Sequence, residues 1–416
     1  MLAKIRSDQF FENTLLELIC YVPLMIIAGN VLPAIGPLKI HWIYIGAIFI
    51  NVFLLFIKNK RSHGFLLLAL CFAIIQLFTA KVFYLKDFID FMSGPMLFIL
   101  VVNIVCFSSI SLETLRLYRN KFLICAAAPI GLAVLQLIKV VPLEILNATY
   151  VNITIFGTEK VLRVNGFLFH GIELAVIIFF FFVNIALFRK TSNVYILFVV
   201  MVALEFMTKI KSGIMTSILY LGFFTYLIDE KYRFIKASVF AAVIILSISF
   251  IYILIPDIET NRLNFDFRHF KFEGQLFTGR GFIWNVYITS LKTIDTWQVL
   301  FGCGYGSAPD MFRQGATNTM AAVSKIAPGP HNQLLELFVN GGLFAMWFIF
   351  YILKKQYSKL KKLFNNKVVL KYYLAVILIP IVIMGLTAPI MSMFIYWCGL
   401  SMFVISLKLK FSEENA

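Results

Sequence analysis

The chain has 416 residues, of which 61% are hydrophobic and 14% charged, whereas a soluble globular domain carries roughly 25% charged and about 45–50% apolar residues. That composition excludes an ordinary water-soluble fold and predicts an all-α polytopic integral membrane protein. The net charge of +16 does not point to nucleic acid, because a membrane protein retains Lys and Arg on its cytoplasmic side, facing anionic lipid.

A helix needs about 20 mostly apolar residues to cross some 30 Å of hydrocarbon. By that measure twelve transmembrane helices are predicted, at 14–33, 38–57, 64–84, 88–110, 122–142, 166–188, 193–208, 212–228, 234–256, 333–353, 368–386 and 389–407. The first has no small-residue cleavage site and is followed at once by another apolar run, so it reads as a span and not as a removed signal peptide. With the N-terminus inside, the short inside segments hold Lys4 and Arg6; Lys58, Lys60 and Arg61; Arg116, Arg119 and Lys121; Arg189 and Lys190; Lys231, Arg233 and Lys236; the cluster KKQYSKLKK from Lys354; and Lys408 and Lys410. Basic residues gathered in short loops set orientation, which puts both N- and C-termini in the cytoplasm. The predicted organisation is nine spans over 1–256, a large periplasmic loop over 257–332, and three spans with a cytoplasmic tail over 333–416.

The chemistry-bearing residues are concentrated on the outer side. RVNGFLFHGIE opens at Arg163 and sets His170 and Glu173 at i, i+3, one helical face. Ionisable groups at membrane depth are costly and mark functional sites, though a packed polar pair has the same pattern. Glu205, Lys209, Lys211, Ser212 and Gly213 form the hairpin of spans seven and eight. Its two lysines run against the charge rule, and either an anionic ligand or snorkelling accounts for them.

Long loops are usually functional, and the one at 257–332 carries Arg262, Arg268, Lys271, Arg280, Lys292, Arg313 and Lys325. Within it GFIWNVYITSLKTI alternates apolar and polar residues as an interfacial helix does. Thr278-Gly279-Arg280-Gly281-Phe282-Ile283-Trp284 and then Phe301-Gly302-Cys303-Gly304-Tyr305-Gly306 surround an arginine with glycines. Such a pattern lets backbone N–H groups and a guanidinium fork converge on phosphate; the plain alternative is a snorkelling Arg and a glycine-rich loop. Pro328-Gly329-Pro330-His331-Asn332-Gln333 closes the loop and opens span ten. A His there titrates near neutral pH and is a candidate general base, with Glu336 one turn on and Asn340-Gly341-Gly342 offering close helix packing. The six cysteines have no CxxC spacing, so neither zinc nor a disulfide framework is indicated. HExxH, Walker and GxSxG motifs are missing, and no metal or cofactor is expected.

Taken together, RVNGFLFHGIELA, the Lys-Ser-Gly hairpin, GRGFIW followed by FGCGYG, and PHNQLLELFVNGGL after a large loop resemble the O-antigen polymerase and ligase superfamily of bacterial envelope glycosyltransferases. The resemblance covers about Arg163 to Leu343. It implies an inner-membrane enzyme that transfers glycan from undecaprenyl diphosphate on the periplasmic face, with inversion and without metal. Arg280 would hold the diphosphate, Arg163 and Lys211 would add charge, and His331 would activate the acceptor hydroxyl, supported by His170, Glu173 and Glu336. The implied partners are the undecaprenyl-diphosphate-linked oligosaccharide, membrane lipids, a chain-length regulator and a flippase, with no nucleic acid. The ligases are expected to carry Ser-Arg or Thr-Arg where this chain has Lys-Ile-Lys-Ser-Gly, which leans toward a Wzy-type polymerase and leaves the place of Lys211 open. Rival readings are an O-antigen ligase and, from another class, a polysaccharide or small-molecule transporter; transporters place their sites near the midplane between repeats, and no repeat is visible here.

Overall fold

The computed structural model describes residues 2–32, 39–58, 63–80, 82–138, 149–154, 158–163, 166, 168, 171–188, 191–208, 210–228, 265–266, 271–272, 280–315, 330, 332–364, 367–385, 388 and 390–414. The fold is all-α. Eight helices come first: α1 (Leu2–Val31), α2 (Ile40–Lys58), α3 (His63–Thr79), α4 (Leu85–Phe107), α5 (Leu112–Leu137), α6 (Gly171–Ala186), α7 (Thr191–Thr208) and α8 (Lys211–Ile228). Three short helices follow, α9 (Arg280–Leu291), α10 (Thr296–Phe301) and α11 (Ala308–Gly315), then three longer ones, α12 (Gln333–Phe364), α13 (Lys367–Ile383) and α14 (Phe394–Glu414). Two antiparallel hairpins lie in the connections: β1 (Thr149–Thr154) with β2 (Thr158–Arg163), and β3 (Phe265–Asp266) with β4 (Lys271–Phe272).

Among the described residues, five helices are long and apolar enough to cross a membrane, or six if the broken pair α2 and α3 counts as one span. The apolar stretches Gly171–Ala186 and Ile196–Thr208 are shorter. The predicted span at 234–256 lies outside the described residues.

Several helix ends depart from the hydropathy reading for identifiable reasons. α5 starts well before residue 122 because Ser111 caps it, its Oγ accepting from the Thr114 N–H at 3.2 Å, which satisfies an otherwise orphan donor. α12 continues through KKQYSKLKK to Phe364, since helix propensity outlasts the apolar segment that a hydropathy window detects. α3 stops short of residue 84 because the chain turns to pair with the distant loop, the Tyr84 N–H donating to the Tyr305 carbonyl at 2.7 Å.

The core is built around α14, which packs against α4 and α6 and touches α1, α5 and α13. Both α4 and α6 are buried along almost their whole length, as expected of helices that are apolar all round. Peripheral helices instead leave large apolar side chains outward, such as Ile50, Leu67, Phe78 and Phe350, which is the surface that lipid covers.

Polar contacts define two ends of the bundle. At one end Gln9 bonds Ser109, Ser108 bonds Glu12, Arg116 pairs with Glu413 at 2.6 Å, and Lys359 bonds the Asn103 Oδ1 at 2.6 Å. These contacts gather the first turns of α1 and α5, the last turns of α4 and α14, and the Lys-rich tip of α12. Deeper in, Asn184 of α6 accepts from Ser406 of α14 at 2.6 Å while its carbonyl accepts from Arg119 of α5 at 3.0 Å. Asn184→Ala is expected to destabilise the protein by about 0.6–2 kcal/mol, read as a lower melting temperature in detergent. An unchanged melting temperature would mean that the Ser406 bond contributes nothing.

Candidate functional site

The opposite end of the bundle holds those segments picked out by the sequence that fall within the described residues. There, α9 packs on α11 and on β4, and α9, α11, the loop after α10 and α12 share a small core of Val286, Tyr287, Cys303, Met311, Phe312 and Val339. Val339 belongs to α12, so this core sits on the first turns of that helix. Tyr287 ties α9 to the start of α11, its hydroxyl donating to the Ala308 carbonyl at 3.0 Å. Ser290 does the same further on, donating to the Met311 carbonyl.

Arg280 is the first residue of α9. One turn on, the buried Trp284 donates its indole N–H to the carbonyl of Pro330 at 3.0 Å, and Pro330 immediately precedes His331. The helix that Arg280 opens and the segment that holds His331 are therefore fastened together by a direct hydrogen bond. The side chain of Arg280, and all of His331 and His170, lie outside the described residues, as do the side chains of Arg163 and Lys211.

The start of α12 is clamped from the other side. Gln333, almost fully buried, donates its N–H to the Gly385 carbonyl at 2.7 Å and accepts from the Met391 N–H at 2.6 Å. Its amide Nε2 is buried with no partner, an available donor two residues from His331. Glu336 lies half-buried in the first turn of α12, where a helix N-terminus favours negative charge. Burial first, and the Glu336 carboxylate second, push the Tyr287 and Tyr305 phenols well above their ordinary range. The field of Glu336 thus falls on the tyrosines of α9 and of the glycine loop.

FGCGYG has a packing role. The Asp295 capping box starts α10, with Oδ1 accepting from the Gln298 N–H at 2.8 Å and Gln298 Oε1 accepting from the Asp295 N–H at 3.2 Å. The helix ends at Gly302, and the Cys303 N–H donates to the Val339 carbonyl at 2.7 Å. Gln76 of α3 donates to the Phe301 carbonyl. Tyr305 inserts between α3 and α4, 5.4 Å from the Phe88 ring and 5.1 Å from that of Phe91. Against it, Gly342 interrupts α12 at φ 61, ψ −159. A methyl group there would stand 2.5 Å from the Gly302 nitrogen and 2.6 Å from the Leu300 carbonyl carbon. The expected close packing at Asn340-Gly341-Gly342 is present, and it is backbone against backbone.

The remaining candidates occupy the same end of the bundle. Arg163 ends β2 and pairs in register with Thr149; three residues on, the Gly166 N–H donates to Gln136 Oε1 in the last turn of α5 at 2.9 Å. Glu173 lies half-buried in the first turn of α6. Lys211 is the first residue of α8, and α8 packs along α13, whose far end meets Gln333. Among the described residues no hydrogen bond joins the Arg163 or Lys211 segments to the Arg280 and His331 pair. Trp284 and Gln333 stand within the sequence motifs but receive no role from them, because their contacts are with residues remote in sequence. Among the described residues no group of three or more His, Cys, Asp or Glu is placed to hold a metal ion.

Comparison with protein-family models, with curated proteins and with solved structures finds no match for this chain.

Proposed function

We propose that the chain is a bacterial inner-membrane polymerase of O-antigen or a related surface polysaccharide, with twelve spans and both ends in the cytoplasm. It moves a glycan from undecaprenyl diphosphate to the next lipid-linked repeat unit on the periplasmic face. The acceptor hydroxyl attacks the anomeric carbon of the donor sugar, the bond to the diphosphate breaks, and undecaprenyl diphosphate leaves with inversion at that carbon. His331 takes the hydroxyl proton, a role in which a group titrating near the working pH is most effective. Arg280 meets the charge that grows on the leaving diphosphate, where preorganised cations act most strongly; Arg163 and Lys211 add to that field.

The observation that carries this reading is the Trp284 to Pro330 hydrogen bond, which ties the helix of the proposed cation to the segment of the proposed base. It lies at the end of the bundle opposite the Lys-rich tip of α12. Support also comes from the motifs that resemble the polymerase and ligase superfamily. Trp284→Phe keeps an aromatic side chain but removes that bond and the volume of the second indole ring, so it is expected to cost at least about 0.5–1.5 kcal/mol of stability and to slow elongation while leaving substrate binding intact. An elongation rate equal to the wild type would detach Trp284 from the site.

The test of function is the lipopolysaccharide ladder of a deletion strain. Loss of a polymerase leaves core carrying one repeat unit. Unmodified core would instead identify a ligase, and normal long chains would exclude both.

A further inference from the structure

Glu205 stands in the last turn of α7 and is fully buried, and among the described residues neither carboxyl oxygen has a hydrogen-bond partner. Its neighbours in sequence do not supply one: Thr208 donates its hydroxyl to the Glu205 backbone carbonyl at 2.8 Å, and Thr216 donates to the Ser212 carbonyl at 2.8 Å. The carboxyl lies in a slot that exists only because residue 213 is glycine. A methyl group on Gly213 would stand 2.5 Å from Glu205 Oε2, with Ala175 Cβ of α6 at 3.0 Å on the other side. One turn beyond Gly213, Ser217 has a buried hydroxyl that also lacks a partner.

The charged residues of the two facing helices are Glu173 on α6 and Lys211 on α8. Glu173 precedes Ala175 by two positions and so lies roughly 200° round α6 from the contact; Lys211 opens α8, and its side chain lies outside the described residues. An unpaired carboxylate in such surroundings is far more costly than a neutral acid. A hard cation would need about six oxygen ligands, whereas a proton needs no ligand beyond the carboxyl itself.

We propose that Glu205 is a proton-binding site inside the membrane region, holding a proton at rest and exchanging it during turnover. The turnover role rests on the glycan-transfer reading. There Glu205 gives its proton to the departing undecaprenyl diphosphate and is reprotonated by the proton that His331 took from the acceptor hydroxyl, so the net change is zero and Glu205 is the store through which a proton passes. Intramembrane acids commonly serve as such relays, and this one lies between the first turns of α6 and α8, beside the segments of His170 and Lys211.

The experiment uses the full chain in lipid vesicles. Infrared spectra of the wild type minus Glu205→Gln are expected to show the carbonyl band of a neutral carboxylic acid. Carboxylate bands in its place would overturn the proposal. In parallel, elongation of lipid-linked repeat units is expected to fall about 100-fold in Glu205→Gln and to stay within about tenfold of the wild type in Glu205→Asp, which keeps a titratable group. The Asp variant is also expected to shift the pH optimum, which a purely structural role would not do. Wild-type elongation by Glu205→Gln, with the melting temperature unchanged, would overturn the turnover role. If the wild type itself elongates nothing, the glycan-transfer reading and the turnover role fail together, and the infrared difference still decides whether Glu205 holds a proton.

Discussion

Arg280→Ala is expected to lower elongation by about 100- to 1,000-fold, the loss typical of removing one donor from a charge-stabilising site. His331→Ala is expected to lower it by about 100- to 10,000-fold, the range for a general base. Both proteins should reach the membrane at wild-type levels. Both variants keep the small core of Val286, Tyr287, Cys303, Met311, Phe312 and Val339 that joins α9 to α12. Arg280→Lys separates charge from geometry: a lysine retains the cation but not the planar fork that grips a phosphate through two parallel bonds, so its activity should fall between the wild type and Arg280→Ala. The measurement is the length distribution of glycan on lipid A-core in cells, beside the amount of protein in the membrane fraction. Full-length ladders from either alanine variant would remove that residue from the site.

The second large effect is structural. Gly342 holds φ 61, ψ −159 in the middle of α12, a region that is essentially glycine-only and costs of order 1–3 kcal/mol for other residues. There is also no space, because a methyl group would press on the backbone of Leu300 and Gly302. Backbone cannot rotate aside as a flexible side chain does. Gly342→Ala is therefore expected to destabilise the protein by about 2–6 kcal/mol, the backbone strain adding to an overpacking cost of about 1–3 kcal/mol, and to separate α10 from α12. Because the glycine loop and α9 rest on that junction, elongation should fall with stability, and lowering the temperature should restore part of it. A Gly342→Ala protein that melts like the wild type would contradict the packing described here.

Much of this architecture is legible in the sequence because hydrocarbon imposes a length on any helix that crosses it. Each of α1–α8 and α12–α14 falls on an apolar stretch of the chain. What hydropathy misses is polar helix: Leu112 to Lys121 at the start of α5 and the lysines at the end of α12 continue the helix without being apolar. Nor does it indicate the β1–β2 hairpin, whose pairing is a contact between two polar strands and leaves no apolar run. At the candidate site, the bond from the Trp284 indole N–H to the Pro330 carbonyl brings the helix of GRGFIW beside the PGPHNQ segment. Their pattern suggested an anion cradle for FGCGYG, yet the Cys303 N–H is committed to Val339 and Tyr305 is packed among Phe72, Phe88 and Phe91. Glycines that admit a ligand and glycines that admit a neighbouring backbone have the same spacing, and only the tertiary contact tells them apart. The contacts of Gln333 and Trp284 were not legible for a related reason, since each bonds residues tens of positions away.

The measurement that bears most directly on the account is elongation by the purified protein in lipid vesicles supplied with undecaprenyl-diphosphate-linked repeat units and no other protein. A ladder of lipid-linked chains is expected that grows with time, needs no added metal and forms about 100- to 1,000-fold more slowly with Arg280→Ala. Passage of the lipid-linked oligosaccharide across the vesicle membrane with no increase in chain length would contradict it, and would assign the protein to transport.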